Sequence, residues 1–188
     1  MNLIETARFN TLILLRFLTG DSNALEKLDA SSKGFWGSFR AAFIVEPISY
    51  LIFIVAALTT DDETSPIKLF LIIIGVAVVN WIVVPLLYAG ISNVLKFNDR
   101  YGRMIVTRNW TQIILLAIFL PAHLLSISEV FTPAMTGMSL LSALLMSFAV
   151  STVLIKGALQ STWWVAFGLT LVDFLVGLVA KIQIQNLF

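Results

Sequence analysis

The stretch IKLFLIIIGVAVVNWIVVPLLYAGISNVL, residues 67–95, decides the fold, because from Leu69 to Leu95 it carries no charged side chain. A helix rises about 1.5 Å per residue, so about 20 apolar residues cross a hydrocarbon core of roughly 30 Å. Working outward, four further stretches meet the same requirement, at about 38–59, 109–128, 133–155 and 161–183. The chain is 59% hydrophobic and 12% charged, far from the roughly 45–50% and about 25% of soluble domains. Water is not the solvent for most of it. The expected architecture is all-α: an integral membrane bundle of five transmembrane helices over residues 38–188, preceded by a helical N-terminal segment over residues 1–37.

Within that segment Leu3, Ile4, Ala7, Leu14, Leu15 and Leu18 recur near helical spacing, with Glu5, Arg8 and Arg16 between them. This pattern predicts an amphipathic helix lying in the membrane interface or packed on the ends of the bundle. Glu5, Arg8, Asn10 and Arg16 interrupt the apolar residues too often for a secretory signal. Gly20-Asp21-Ser22-Asn23 reads as a turn, in which Asp21 or Ser22 can cap a short helix through Leu28.

Basic residues set the orientation. Arg8, Arg16, Lys27, Lys33, Arg40, Lys96, Arg100, Arg103, Arg108 and Lys156 fall on one side, and only Lys68 and Lys181 on the other. The positive-inside rule then places the N-terminus in the cytoplasm and the C-terminus outside. The first external connection, Asp61-Asp62-Glu63, is acidic and agrees with this. Trp36, Trp110, Trp163 and Trp164 fall at the expected cytoplasmic ends, where indole rings anchor. Trp81 falls within the second helix and is expected to pack there.

A net charge of +1 gives no footprint for nucleic acid. Cysteine is absent and there is one histidine, which excludes disulfides, thiolate ligation and a histidine-cluster metal site. No phosphate-cradling loop, zinc-binding HExxH or nucleophile elbow occurs. No catalytic, cofactor or metal residues are therefore assigned, and the chain is not expected to be an enzyme.

Ionisable groups inside lipid cost about 2.5–3.5 kcal/mol each at a helix centre, so each needs a reason. Glu46 precedes Pro47 in the first helix, Asp173 lies near the middle of the fifth with Thr170 and Gly177 on its face, and His123 follows Pro121 in the third. Together with Asn80 they form a candidate polar core, and Glu46, Asp173 and His123 suit a small transporter or proton-coupled permease. As interhelical glue they need no transport at all. Asn109 and Gln112 lie near the face of His123, so polar groups from several helices are candidates to converge.

Ser139, Ala143, Ser147 and Ser151 repeat every four residues along the fourth helix. They form a small face that admits another helix, from the same chain, a second copy or another membrane protein. Lys96, Arg100, Arg103 and Arg108 make the second cytoplasmic connection basic. They are candidates for lipid headgroup contact, or serve only as topogenic charge. The leading expectation is a non-enzymatic membrane protein acting through helix or lipid contacts as an accessory or organising subunit. Its partners would be membrane lipid and a membrane protein or second copy, with no nucleic acid and no cofactor.

The tract Gly34-Phe35-Trp36-Gly37-Ser38-Phe39-Arg40-Ala41-Ala42-Phe43, followed by Pro47, resembles the GFWxSFxAA entry to the first helix in a group of uncharacterised bacterial multi-pass proteins common in alphaproteobacteria. Arg108-Asn109-Trp110 resembles their entry to the third helix. The resemblance implies a bacterial inner-membrane location and brings no activity. The five-pass plan is also similar in topology to the Yip family of Rab-interacting membrane proteins. That family's DLYGP-type tract is not found here, so no trafficking role carries over.

Overall fold

A computed structural model describes residues 2–59, 65–127 and 132–187, so the acidic tract Asp61-Asp62-Glu63 lies outside the described residues. The described chain is helical throughout, without a strand: α1 (Leu3–Leu18), α2 (Ser32–Ser38), α3 (Ala42–Thr59), α4 (Pro66–Val78), α5 (Val84–Leu95), α6 (Asn98–Ile127), α7 (Pro133–Leu159) and α8 (Trp163–Leu187). A 3₁₀ turn, Phe39–Ala41, joins α2 to α3, and a π-turn, Val79–Val83, joins α4 to α5. Five spans are long and apolar enough to cross a membrane: Ser32–Val55, Ile67–Leu95, Asn98–Ile127, Pro133–Leu159 and Trp163–Ile184. Their outward faces, with Leu51, Phe70, Leu86, Leu124, Leu145 and Val179 exposed, are apolar surface that only lipid can cover. The protein is an integral, multi-pass membrane bundle.

The third span begins earlier than hydropathy suggests. Residues 98–108 are not a basic loop but the first three turns of α6, and only Lys96 and Phe97 connect it to α5. A hydropathy reading counts Arg100, Arg103 and Arg108 against the membrane. The backbone is helical there because Met104, Ile105 and Val106 are buried in the core. The turn is tight because Lys96 adopts a left-handed conformation (φ 58°) and the Phe97 N–H reaches the Ser92 carbonyl at 3.1 Å. Gln160 ends α7 in the same way, with the Ser161 N–H on the Lys156 carbonyl at 3.2 Å. Both devices satisfy helix-end carbonyls.

An N-terminal layer covers this end of the bundle. Asn2 and Glu5 form a reciprocal capping box that starts α1, and Gly20 (φ 111°) stops it while the Asp21 N–H reaches the Arg16 carbonyl. The turn expected at Gly20 is present; the short helix after it is a single 3₁₀ turn, Ala24–Lys27, without a side-chain cap. Ala7, Ile13, Leu14, Ala24, Leu25 and Leu28 enter the core against α6 and α7. The other side of α1 leaves Ile4, Phe9, Leu12 and Leu15 exposed, so α1 both packs on the bundle and presents an apolar face outward. Glu26 clasps both helical hairpins, accepting from Arg103 of α6 and from Gln160 Nε2 at 3.0 Å. Gly157 permits the fit, since a Cβ there would overlap the Phe17 ring and Leu25.

Replacing Gly157 with Leu is expected to loosen the layer at a cost of about 1–3 kcal/mol, the usual range for overpacking. Limited proteolysis in detergent should then cleave the segment around Gly20, with the five spans intact; unchanged protection would show that the layer does not depend on this contact. The clasp is also acid-sensitive. The hydrogen bond from Arg103 holds the Glu26 carboxyl below its ordinary 4.5, so its contribution is complete at neutral pH and is lost as pH falls below that value. Hydrogen exchange of residues 21–28 should accelerate only in that acid range.

Candidate functional site

Ten residues into α6, about 15 Å from its start, the side chain of Arg108 lies 3% exposed between helices. Its Nε donates to Asp173 Oδ2 and its Nη2 to Asp173 Oδ1, both at 2.8 Å. This bidentate geometry is the strongest available to a guanidinium and a carboxylate. The same Nη2 donates to Asn80 Oδ1 at 2.6 Å, and Nη1 donates to the Asn80 carbonyl at 3.1 Å. Arg108 is therefore no headgroup contact, contrary to the reading of its sequence neighbourhood. The reason is depth: with α6 starting at Asn98, Arg108 lies level with Asp173, itself ten residues into α8.

The second span is shaped to receive this guanidinium. In the π-turn the Val84 N–H bonds the Val79 carbonyl, five residues back. The next donor in that register would be residue 85, which is Pro85 and has no N–H. The Asn80 carbonyl is thereby left open, and Arg108 fills it. The adjoining Trp81 donates its indole N–H to Glu46 Oε1 at 2.5 Å. Tyr88, fully buried, donates from its hydroxyl to the Leu169 carbonyl at 2.8 Å. The irregular turn thus ties the second span to the first and third, and Tyr88, further along in α5, ties it to the fifth.

Of the candidate polar core, Asn80 and Asp173 meet through Arg108. Glu46 belongs to a separate contact with Trp81. His123 is stacked near Phe119, ring centroids 6.0 Å apart, and lies about 22 Å along α6 from Arg108 at 1.5 Å per residue. Glu46, His123 and Asp173 do not form one relay. Asn109 departs as well, donating to Ser38 Oγ at 2.9 Å, while Gln112 stays near Asp173.

The small face of α7 is used inside the chain. Ala143 and Ser147 are buried, and α7 packs on α6 and α8. A cavity of about 340 Å³ opens where this face meets them. Asn80, Gln112, Ser147, Ser151, Thr170 and Asp173 supply its polar side, Leu115, Phe119, Leu144, Phe148, Phe174 and Leu178 its apolar walls, and Lys181 stands at its far end. Ser147 Oγ is buried without a hydrogen-bond partner, although Ser139 and Ser142 of the same helix bond their own backbone. Asp173 is 24% exposed at its side chain, so the carboxylate held by Arg108 still borders the cavity.

The remaining basic candidates stay at the surface or near it. Lys96 is exposed, Arg100 approaches Asp99 at 3.9 Å, and Arg103 is bound by Glu26. Of the tryptophans, Trp36, Trp163 and Trp164 are exposed at this end, whereas Trp110 is 2% exposed. It is a core residue rather than an interfacial anchor, because the N-terminal layer lies over it. The role of Arg108 was legible in principle: a mid-span carboxylate requires a partner, and Arg108 is the basic residue closest to the apolar part of the third span.

No family model, curated protein or solved structure matches the chain.

Removing one member of a buried ion pair strands the other, at about 3–5 kcal/mol. Arg108→Ala should lose that much in reversible detergent unfolding, and Arg108→Lys should lose much of it because the fork geometry is gone. The double variant Arg108→Met with Asp173→Leu should recover most of the loss. Equal destabilisation by the double and single variants would mean that the pair does more than satisfy itself.

Proposed function

We propose that this is a non-enzymatic protein of the bacterial inner membrane, N-terminus cytoplasmic and C-terminus outside, that acts through lipid contacts as an accessory protein. Its working part is the cavity between α6, α7 and α8, which takes a small amphipathic molecule from the bilayer. The observation that carries this reading is the pairing of an apolar wall with an unpartnered buried hydroxyl, Ser147 Oγ, and a bordering carboxylate, Asp173. Small-molecule sites enclose about 300–1,000 Å³, mostly apolar with a few placed polar groups, and this cavity falls in that range. The apolar body would lie against Phe148, Phe174 and Leu178, and a hydroxyl or amide group would meet Ser147 and Asp173.

Acting through a protein neighbour on the small face has less support, since α6 and α8 already cover that face. A proton-coupled permease also has less, because Arg108 occupies both carboxylate oxygens of Asp173, and Glu46 and His123 stand apart from it.

The test is native mass spectrometry of the protein released from nanodiscs, compared with Gly177→Leu, whose added side chain enters open space at the cavity wall. Wild type should retain a discrete small amphiphile, and the variant should retain at least tenfold less at the same thermal midpoint. A wild-type chain that never carries such a species, or a variant that carries it equally, would overturn the reading.

A further inference from the structure

A second pocket, of about 440 Å³, lies outside the bundle core where α1, α2 and α6 meet. Lys27, Lys33 and Arg40 stand around it, Asn10 (8% exposed) forms part of its floor, and Trp110 closes its back. We propose that this pocket binds the phosphodiester headgroup of an anionic phospholipid, with Arg40 as the principal contact and Lys27 and Lys33 flanking it.

Charge decides among these groups. Lys27 approaches Asp21 at 3.5 Å. Lys33 forms no ion pair within 4.0 Å among the described residues, but Asp29 lines the same pocket; hydrogen bonds from Ser31 hold its carboxyl below its ordinary 3.8, so it stays ionised at neutral pH and offsets part of the lysine charge. Arg40 has no acidic partner within ion-pair distance among the described residues. An unpaired guanidinium at the edge of this pocket presents several parallel N–H donors, the arrangement that fits phosphate oxygens.

Position decides the source of the phosphate. Phe9 lines the pocket and is 51% exposed, and Phe43, one turn beyond Arg40, is 74% exposed. Both rings need lipid around them, so the pocket lies at the boundary between acyl chains and headgroups, where a phosphodiester is already concentrated. The tight approach of α2 to the preceding segment keeps it in shape: a Cβ on Gly34 would overlap the Asp29 backbone.

The site is independent of the cavity between α6, α7 and α8, and it relocates the headgroup contact from Arg103 and Arg108, both engaged in ion pairs, to the N-terminal layer. The experiment uses the full chain, delipidated in detergent and offered equal amounts of phosphatidylglycerol and phosphatidylcholine, with bound lipid read by native mass spectrometry. Wild type should prefer phosphatidylglycerol by tenfold or more. A basic group near an anionic lipid changes affinity by on the order of fivefold; Arg40→Gln should therefore cut the preference about fivefold, and adding Lys27→Gln with Lys33→Gln, whose charges are partly offset, should remove the remainder.

A control variant, Lys96→Gln with Arg100→Gln, loses two charges away from the pocket, as many as the lysine pair and one more than Arg40→Gln, and should keep the preference. Because Arg40 is exposed, its variant should melt with wild type, and an unchanged melting midpoint separates lost binding from lost folding. Equal retention of the two lipids by wild type, an unchanged preference in Arg40→Gln, or the same loss in the control would overturn the assignment. Displacement of the lipid by millimolar inorganic phosphate would overturn it too, assigning the pocket to free phosphate.

Discussion

The guanidinium of Arg108, buried between the spans about 15 Å from the start of α6 and held by Asp173 and Asn80, is the constraint on which the rest of the arrangement depends. An isolated charge there is costly, and so is an isolated carboxylate. Each is tolerated because the other is within 2.8 Å in a two-point contact. That requirement fixes how α6 and α8 stand relative to one another. It also explains the π-turn: widening the second span beside Pro85 exposes a carbonyl that a regular helix would have used, and an Nη1–H of the guanidinium takes it. The neighbouring Trp81 extends the same irregularity to Glu46 on the first span.

Small residues then determine how much space surrounds this centre. Ala143, Ser147 and Ser151 let α7 approach α6, and Thr170 is buried on α8 while Gly177 faces open space, so these short side chains do not fill the gap at Asp173. The cavity follows from that mismatch between helix spacing and side-chain volume. Of its polar groups, Asn80 and Asp173 are anchored by Arg108 of another span, Thr170 bonds its own helix and Ser147 Oγ has no partner, while aromatic and leucine side chains form the apolar walls. A ligand there would be in contact with lipid and with the ion pair at once.

At the basic end the same economy of charge operates in a wetter setting. Arg103 is neutralised by Glu26, which also bonds Gln160 and so holds the N-terminal layer across two hairpins. Lys27 and Lys33 are partly offset by Asp21 and Asp29. Arg40 is left over. Residues that the sequence presents as one undifferentiated basic cluster thus divide into a core pair, a structural clasp and a free cation.

The all-α fold, the five crossings and the N-terminal helix were legible in the sequence, because span length and apolar composition are local properties set by the thickness and dielectric of the bilayer. So were Asp173 as a residue needing a partner, its shared face with Thr170 and Gly177, and the small face of α7, since helical periodicity alone places them. Which polar groups meet was not legible. Arg108 read as loop charge because hydropathy averages over neighbours and cannot see that α6 begins at Asn98. Trp110 read as an anchor because nothing local shows that α1 and α2 cover it. Glu46 and His123 looked equivalent to Asp173 in composition, and only the packing angles and axial registers of the helices separate them. Those are long-range quantities, settled by which side chains satisfy one another across spans, so the tertiary structure alone decided the ion pair, the cavity and the pocket left open at Arg40.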